Sequence, residues 1–230
     1  MKYTYLLFDA DNTLFDFHAG EKNAFHKALT AFGFGESEGD YAHYAAINDS
    51  LWKKLEKGEI TKDEIFAERF VRFLKETDRT GDGIAINACY KANLSCEAIL
   101  FPHAKELLSA LLQKGYRLFL ITNGDKTVQN KRLALSGLGQ YFEQIFISEE
   151  IGAAKPSERF FNFVANAISG FEKEKALVIG DSESSDILGA NRYGIDACHV
   201  TINSPPLSPA VHAEYTANDL ITLKNLLLSI

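Results

Sequence analysis

Tyr3 to Phe8 (YTYLLF) is a short aromatic and aliphatic run that stops abruptly at Asp9-Ala10-Asp11-Asn12-Thr13. Such a run reads as a buried strand of the kind parallel sheets contain. Its partners are not nearby in sequence. From residue 16 to about 97 strand signals are nearly absent and the spacing is helical. Ala24, Phe25, Ala28, Leu29 and Phe32 form one apolar face, with Gly33 as a stop. Leu51, Trp52 and Leu55 form a second, ending near Gly58. Ile65, Phe66, Phe70, Phe73 and Leu74 form a third.

After about residue 98 short strands and helices alternate. Helix Ala104–Lys114 ends at Gly115, and strand Arg117–Ile121 leads to Thr122-Asn123-Gly124. Helix Lys126–Ser136, strand Gln144–Ile147 and a loop through Lys155-Pro156 follow. Helix Glu158–Ile168, strand Ala176–Ile179 and Gly180-Asp181-Ser182 come next, opening a helix over Ser185–Tyr193. A strand at Asp196–Val200 and a helix at Leu220–Leu228 complete the pattern. Alternation of this kind implies βαβ units. The expected fold is α/β: a Rossmann-like doubly wound parallel sheet with an inserted all-helical domain. Residues 1–15 and 98–230 are expected to form the α/β core, and residues 16–97 the helical insert.

Composition narrows the functional classes. The 230 residues carry 24 Lys+Arg against 31 Asp+Glu, a formal charge of −7. That balance argues against a broad surface for a nucleic-acid polymer or an anionic membrane. A hydrophobic content of 46% leaves ample material for a core. Cys89, Cys96 and Cys198 have no zinc or disulfide spacing, which favours a reducing compartment. The Tyr3–Phe8 run is too short for a secretory or membrane segment. A soluble, cytoplasmic protein is the expectation.

In open α/β sheets, ligands bind beyond the carboxyl ends of the strands. The polar residues expected there are Asp9 and Asp11, Thr122 and Asn123, Lys155, Asp181 and Asp186. Asp9 and Asp11 are two apart, so an extended backbone would point both side chains the same way. Two carboxylates ~4 Å apart repel by about 4 kcal/mol at an effective dielectric near 20. Either the acids protonate or a cation sits among them. An all-oxygen site with few ligands suits Mg²⁺. A dication and Lys155 would then draw in a phosphate.

These groups admit phosphoryl transfer. Asp9 would attack phosphorus as a covalent nucleophile. Asp11 would protonate the leaving alkoxide and then deprotonate the hydrolytic water. Thr122, with the backbone amides of Asn123 and Gly124, would hold phosphoryl oxygens.

The four segments Asp9-Ala10-Asp11-Asn12-Thr13, Thr122-Asn123-Gly124, Lys155-Pro156 and Gly180-Asp181-Ser182-Glu183-Ser184-Ser185-Asp186 resemble, in order, the motifs of the haloacid dehalogenase superfamily. The helical insert resembles that family's C1-type cap. The resemblance implies a Rossmann-like core, Mg²⁺ dependence and an aspartyl-phosphate route. It further implies that Asp9, the backbone carbonyl of Asp11, and Asp181 contact Mg²⁺. Asp186 would support either the metal waters or Lys155. An acid at Asp11 favours phosphatases over dehalogenating members, whose halide leaving group needs no proton. The segment Asn48 to Thr61, with Arg69-Phe70, is similar to cap sequences of the bacterial pyrimidine 5′-nucleotidase subgroup. That implies a nucleoside 5′-monophosphate substrate.

Three rivals stay open: a sugar-phosphate or phosphoglycolate phosphatase, a sugar phosphomutase, and a phospho-acceptor signalling module. Trp52, Tyr41, Tyr44 and Phe17 are candidates to stack a base, although aromatics at helical spacing commonly belong to a core. His18 is a candidate substrate contact. Ser182 and Ser184 read as helix caps. Oligomeric state is not legible.

Overall fold

The structure is a computed structural model that describes residues 1–35 and 37–230. In chain order it begins with β1 (Tyr5–Phe8), α1 (Phe17–Ala31), α2 (Asp40–Glu56), α3 (Lys62–Glu76) and α4 (Gly83–Leu94). It continues through α5 (Ala104–Lys114), β2 (Arg117–Thr122), α6 (Lys126–Ser136), β3 (Gln144–Ile147) and α7 (Ser148–Ile151). Then come α8 (Glu158–Ala167), β4 (Ala176–Gly180), α9 (Leu188–Tyr193), β5 (Asp196–Val200), β6 (Tyr215–Ala217) and α10 (Leu220–Ser229). The chain divides into two compact units: Met1–Phe17 with Ala98–Ile230, and His18–Glu97.

The first unit holds a six-stranded parallel sheet in the order β3-β2-β1-β4-β5-β6. β1 is central, with Tyr5 level with both Arg117 and Ala176 and Phe8 level with Leu120 and Ile179. All four residues of β1 are buried, as a strand covered on both faces requires. Leu6 and Phe8 pack toward α5 and α10 with Leu107, Leu111 and Leu223. Tyr5 and Leu7 pack toward α8 and α9 with Phe160, Val164 and Ala190. This is the doubly wound α/β architecture, with helices on both faces.

The chain runs β1, β2, β3 to one side and then crosses to β4 on the other side of β1. The reversal puts a crevice at the carboxyl ends of β1 and β4. Four local readings of the sequence differ from the structure. The helix expected from Ser185 is a π-helical turn, Glu183–Ile187, followed by α9. The Ser182 hydroxyl accepts the Ser185 amide at its start. β6 was not anticipated; it is a three-residue edge strand. Nor was α4, whose buried face mixes Gly83 and Asn87 with Ile86, Tyr90 and Leu94 and so blurs the apolar period. Phe32 lies beyond the end of α1 and is exposed, because the chain turns at Gly33 with φ 75°.

The second unit contains α2, α3, α4 and nearly all of α1. Thr61 caps α3 with a reciprocal Glu64 bond, and Asp82 caps α4. Tyr44 is fully buried, stacked on Phe25 at 4.8 Å and Phe70 at 4.6 Å. It is core, not a surface for a base. Beside these rings runs a buried polar chain. Asn48 Nδ2 donates to Glu21 Oε1 (2.9 Å), Arg69 NH1 to Asn48 Oδ1 (3.2 Å) and Arg69 Nε to Asn87 Oδ1 (2.7 Å). Tyr41 donates its hydroxyl to Glu21 Oε2.

Burial pushes the Glu21 carboxyl up to about 7, against the pull of the Tyr41 hydroxyl, from an ordinary 4.5. A carboxyl raised in the folded state contributes stability that is complete below its unfolded value and lost as pH rises through its folded one. Stability should therefore fall by on the order of 3 kcal/mol between roughly pH 4.5 and 7.5 on this account alone. Glu21→Gln should flatten that slope, read as urea midpoint against pH. An unchanged slope would contradict the assignment.

Candidate active site

Asp9 follows the last residue of β1 and Asp181 the last residue of β4. Because the two strands are hydrogen-bonded neighbours in register, both acids emerge at one edge, and the Asp9 amide donates to Ile179 O (2.8 Å). Asp186 arrives from the π-helical turn. Ligand oxygens of Asp9, Asp181 and Asp186 lie within 4.8 Å of one another.

Lys155 is buried among them at 1% exposure. Its ammonium donates to Asp9 Oδ1 (2.6 Å), Asp186 Oδ1 (2.6 Å) and Ile121 O (3.0 Å). An ammonium has three protons, so all are spent inside the protein. Burial alone would lower its pKa, but the Asp186 and Asp9 charges outweigh that and hold it above its usual range. The Lys155 backbone is pinned in turn. Asn123 Nδ2 donates to Lys155 O (2.8 Å), and Lys155 N donates to Asn123 Oδ1 (2.9 Å).

Three carboxylates against one ammonium leave the cluster with excess negative charge. Burial, reinforced by Asp186 and Asp11, pushes Asp9 up to about 7 despite Lys155. Burial, with Asp9 and Asp186 beside it, pushes Asp181 well above the carboxylate range, although Ser204 Oγ donates to its Oδ2 (3.0 Å). A carboxylate group so displaced takes up either protons or a cation. The donors are all hard oxygens, which fits a small dication. Asp9 Oδ2 accepts no hydrogen bond from the described residues, so one oxygen of this acid is left for chemistry.

Asp11 has different partners from the acidic trio. The strand ends at Phe8, and the chain turns at Asn12 with φ 56°. Its carboxylate accepts from Arg132 NH1 (2.5 Å, Oδ1) and Gln129 Nε2 (2.7 Å, Oδ2). Thr122 is buried at the end of β2, and its Oγ1 accepts from the Gly124 amide (3.0 Å) and Gln129 Nε2 (2.9 Å). The Gly124 amide, expected to face a ligand, thus donates to the Thr122 hydroxyl. Asp186 spends Oδ1 on Lys155 and Oδ2 on the Ser182 amide (3.1 Å).

Gln129, Arg132 and Ser204 carried no role in the sequence reading. A signal existed for the first two. On α6 they sit on the same buried face as Val128, Leu133 and Ser136, so a polar pair interrupts a core-facing stripe.

Comparison with known proteins identifies the class. The haloacid dehalogenase-like hydrolase family profile matches residues 3–194. The chain belongs to this family of hydrolases, and within it is a phosphatase. It is 39% identical to the pyrimidine 5′-nucleotidase PynA of Streptococcus pneumoniae, over 85% of this chain and 83% of that one. It is 28% identical to the pyrimidine 5′-nucleotidase YjjG of Escherichia coli, over 99% of both. The crystal structure of the HAD-hydrolase YfnB from Bacillus subtilis, solved bound to magnesium, superposes with a TM-score of 0.92 at 35% identity, covering 99% of each chain. Among the described residues, no helix is long and apolar enough to cross a membrane.

Gly180 tests the packing behind the site. A Cβ there would lie 2.2 Å from Asp186 Oδ2, inside the volume that carboxylate needs. Gly180→Ala should displace Asp186 from Lys155 and destabilise the fold by about 1–3 kcal/mol. A urea melt at wild-type midpoint would contradict this.

Proposed function

We propose that the chain is a Mg²⁺-dependent phosphomonoesterase that works through an aspartyl-phosphate and acts on nucleoside 5′-monophosphates, pyrimidine nucleotides first. The observation that carries the reading is the Asp9 carboxylate. One of its oxygens is anchored on a buried lysine and the other accepts no hydrogen bond from the described residues, beside Asp181 and Asp186.

Asp9 Oδ2 forms the bond to phosphorus as the ester P–O bond breaks and its electron pair leaves with the alkoxide. Asp11, entering this step in its protonated form, gives that oxygen its proton. Water then attacks the same phosphorus, Asp11 takes the water's proton, and the phosphorus–Asp9 bond breaks to release phosphate. Thr122 Oγ1 already accepts two hydrogen bonds, so its own proton is available to a phosphoryl oxygen. Lys155 acts through its charge and by holding Asp9, because its donors are occupied.

Asp9 and Asp181, with the Asp11 backbone carbonyl, would hold the Mg²⁺, and Asp186 would orient Lys155. The ion would supply positive charge to offset the acids and the phosphoryl oxygens. The His18–Glu97 unit is assigned as the cap that selects the leaving group. The nucleotide preference is supported by the two nucleotidase relatives.

Asp9→Asn should lower phosphate release by on the order of 10³-fold or more while the circular dichroism spectrum is retained. Near-normal turnover would exclude Asp9 as nucleophile. Treatment with EDTA should abolish release, and added Mg²⁺ should restore it. Across a panel of nucleoside monophosphates, sugar phosphates and phosphoglycolate, uridine and thymidine 5′-monophosphates should give the highest kcat/KM. A sugar phosphate ahead of every nucleotide would reassign the substrate.

A further inference from the structure

The structure assigns Gln129 and Arg132, one turn apart on α6, as positioning residues that hold the Asp11 carboxylate and the Thr122 hydroxyl in a single hydrogen-bonded frame. The inference rests on the phosphatase reading above and concerns two residues that touch neither phosphate nor metal in it.

Both side chains are sealed inside the protein, Arg132 at 0% and Gln129 at 1% exposure. A guanidinium is rarely buried without a specific anion. Here the anion is Asp11, a side chain 25% exposed and therefore the end of the pair that reaches out of the interior. Arg132 also lies over the Phe15 ring at 4.2 Å and the Phe17 ring at 5.8 Å, which limits its own movement.

Gln129 is the connector. Its Nε2 has two protons, one given to Asp11 Oδ2 and one to Thr122 Oγ1, and its Oε1 accepts from Arg132 NH1 (3.1 Å). The amide can take only this orientation. Turned over, its oxygen would face the Asp11 carboxylate and its NH₂ would face the guanidinium. Room for it comes from Gly124, where a Cβ would stand 2.4 Å from Gln129 Nε2.

The frame has two chemical consequences. Asp11 is presented in a fixed rotamer, because each of its oxygens is held by a different residue. Thr122 has its lone pairs filled by Gln129 and the Gly124 amide, so its proton is turned toward an external acceptor. A proton donor displaced by about an ångström can lose on the order of 10²-fold in rate.

The test compares an ester that needs a proton on departure with one that does not. Uridine 5′-monophosphate and β-glycerophosphate release alkoxides, whereas 2,4-dinitrophenyl phosphate releases a stable phenolate. kcat/KM reports the step in which that group leaves. In Gln129→Leu and Arg132→Lys, kcat/KM for the alkyl esters should fall about 10–100-fold further than for the dinitrophenyl ester. Arg132→Lys keeps the charge, and Gln129→Leu serves where the arginine variant does not fold. Equal losses on both kinds of ester, or no loss, in a folded variant would make the pair merely structural and overturn the inference alone. Wild-type protein that releases phosphate from no ester would overturn the phosphatase reading and this inference with it.

Discussion

A single ammonium group organises this site. Lys155 comes from the loop after β3, yet its three protons tie together Asp9 beyond β1, Asp186 beyond β4 and the Ile121 carbonyl of β2. Three strands of the sheet thus meet on one nitrogen. Without it, the acids of the crevice would stand close together in a desolvated space with nothing to offset them. With it, they remain over-negative, and that residual charge favours a dication, whose own positive charge could then attract an oxyanion.

The sheet makes the meeting unavoidable. β1 lies between β2 and β4 in parallel register, so the residues following each strand emerge side by side. Glycines then remove the side chains that would obstruct the approach, Gly180 for Asp186 and Gly124 for Gln129. Asn123 fastens the Lys155 backbone from the end of β2. The frame of Gln129 and Arg132 does for Asp11 what Lys155 does for Asp9. In each case a buried cation fixes a carboxylate while leaving part of it accessible.

Much of this was legible in the chain. Apolar runs such as Leu6-Leu7-Phe8 and Leu177-Val178-Ile179 declare strands buried on both sides, and the polar residues that end them declare a site. Other features were not legible, each for a definite reason. α4 has an apolar stripe diluted by Gly83 and Asn87, so its period is weak. β6 is too short for any pattern. Tyr44 and Trp52 look alike as helical aromatics, but only packing shows that Tyr44 is stacked inside the core.

The sequence by itself determined the fold class, the family and the identity of the charged residues at the crevice, because strand patterning and short motifs are local properties. Which partner each of those residues takes was decided only by the tertiary structure. Asp11 answers to Arg132, 121 positions away, and Lys155 to Asp9, 146 positions away. Such pairings are set by the order and register of strands and by which face of α6 turns inward, and those are properties of the assembled sheet rather than of any segment within it.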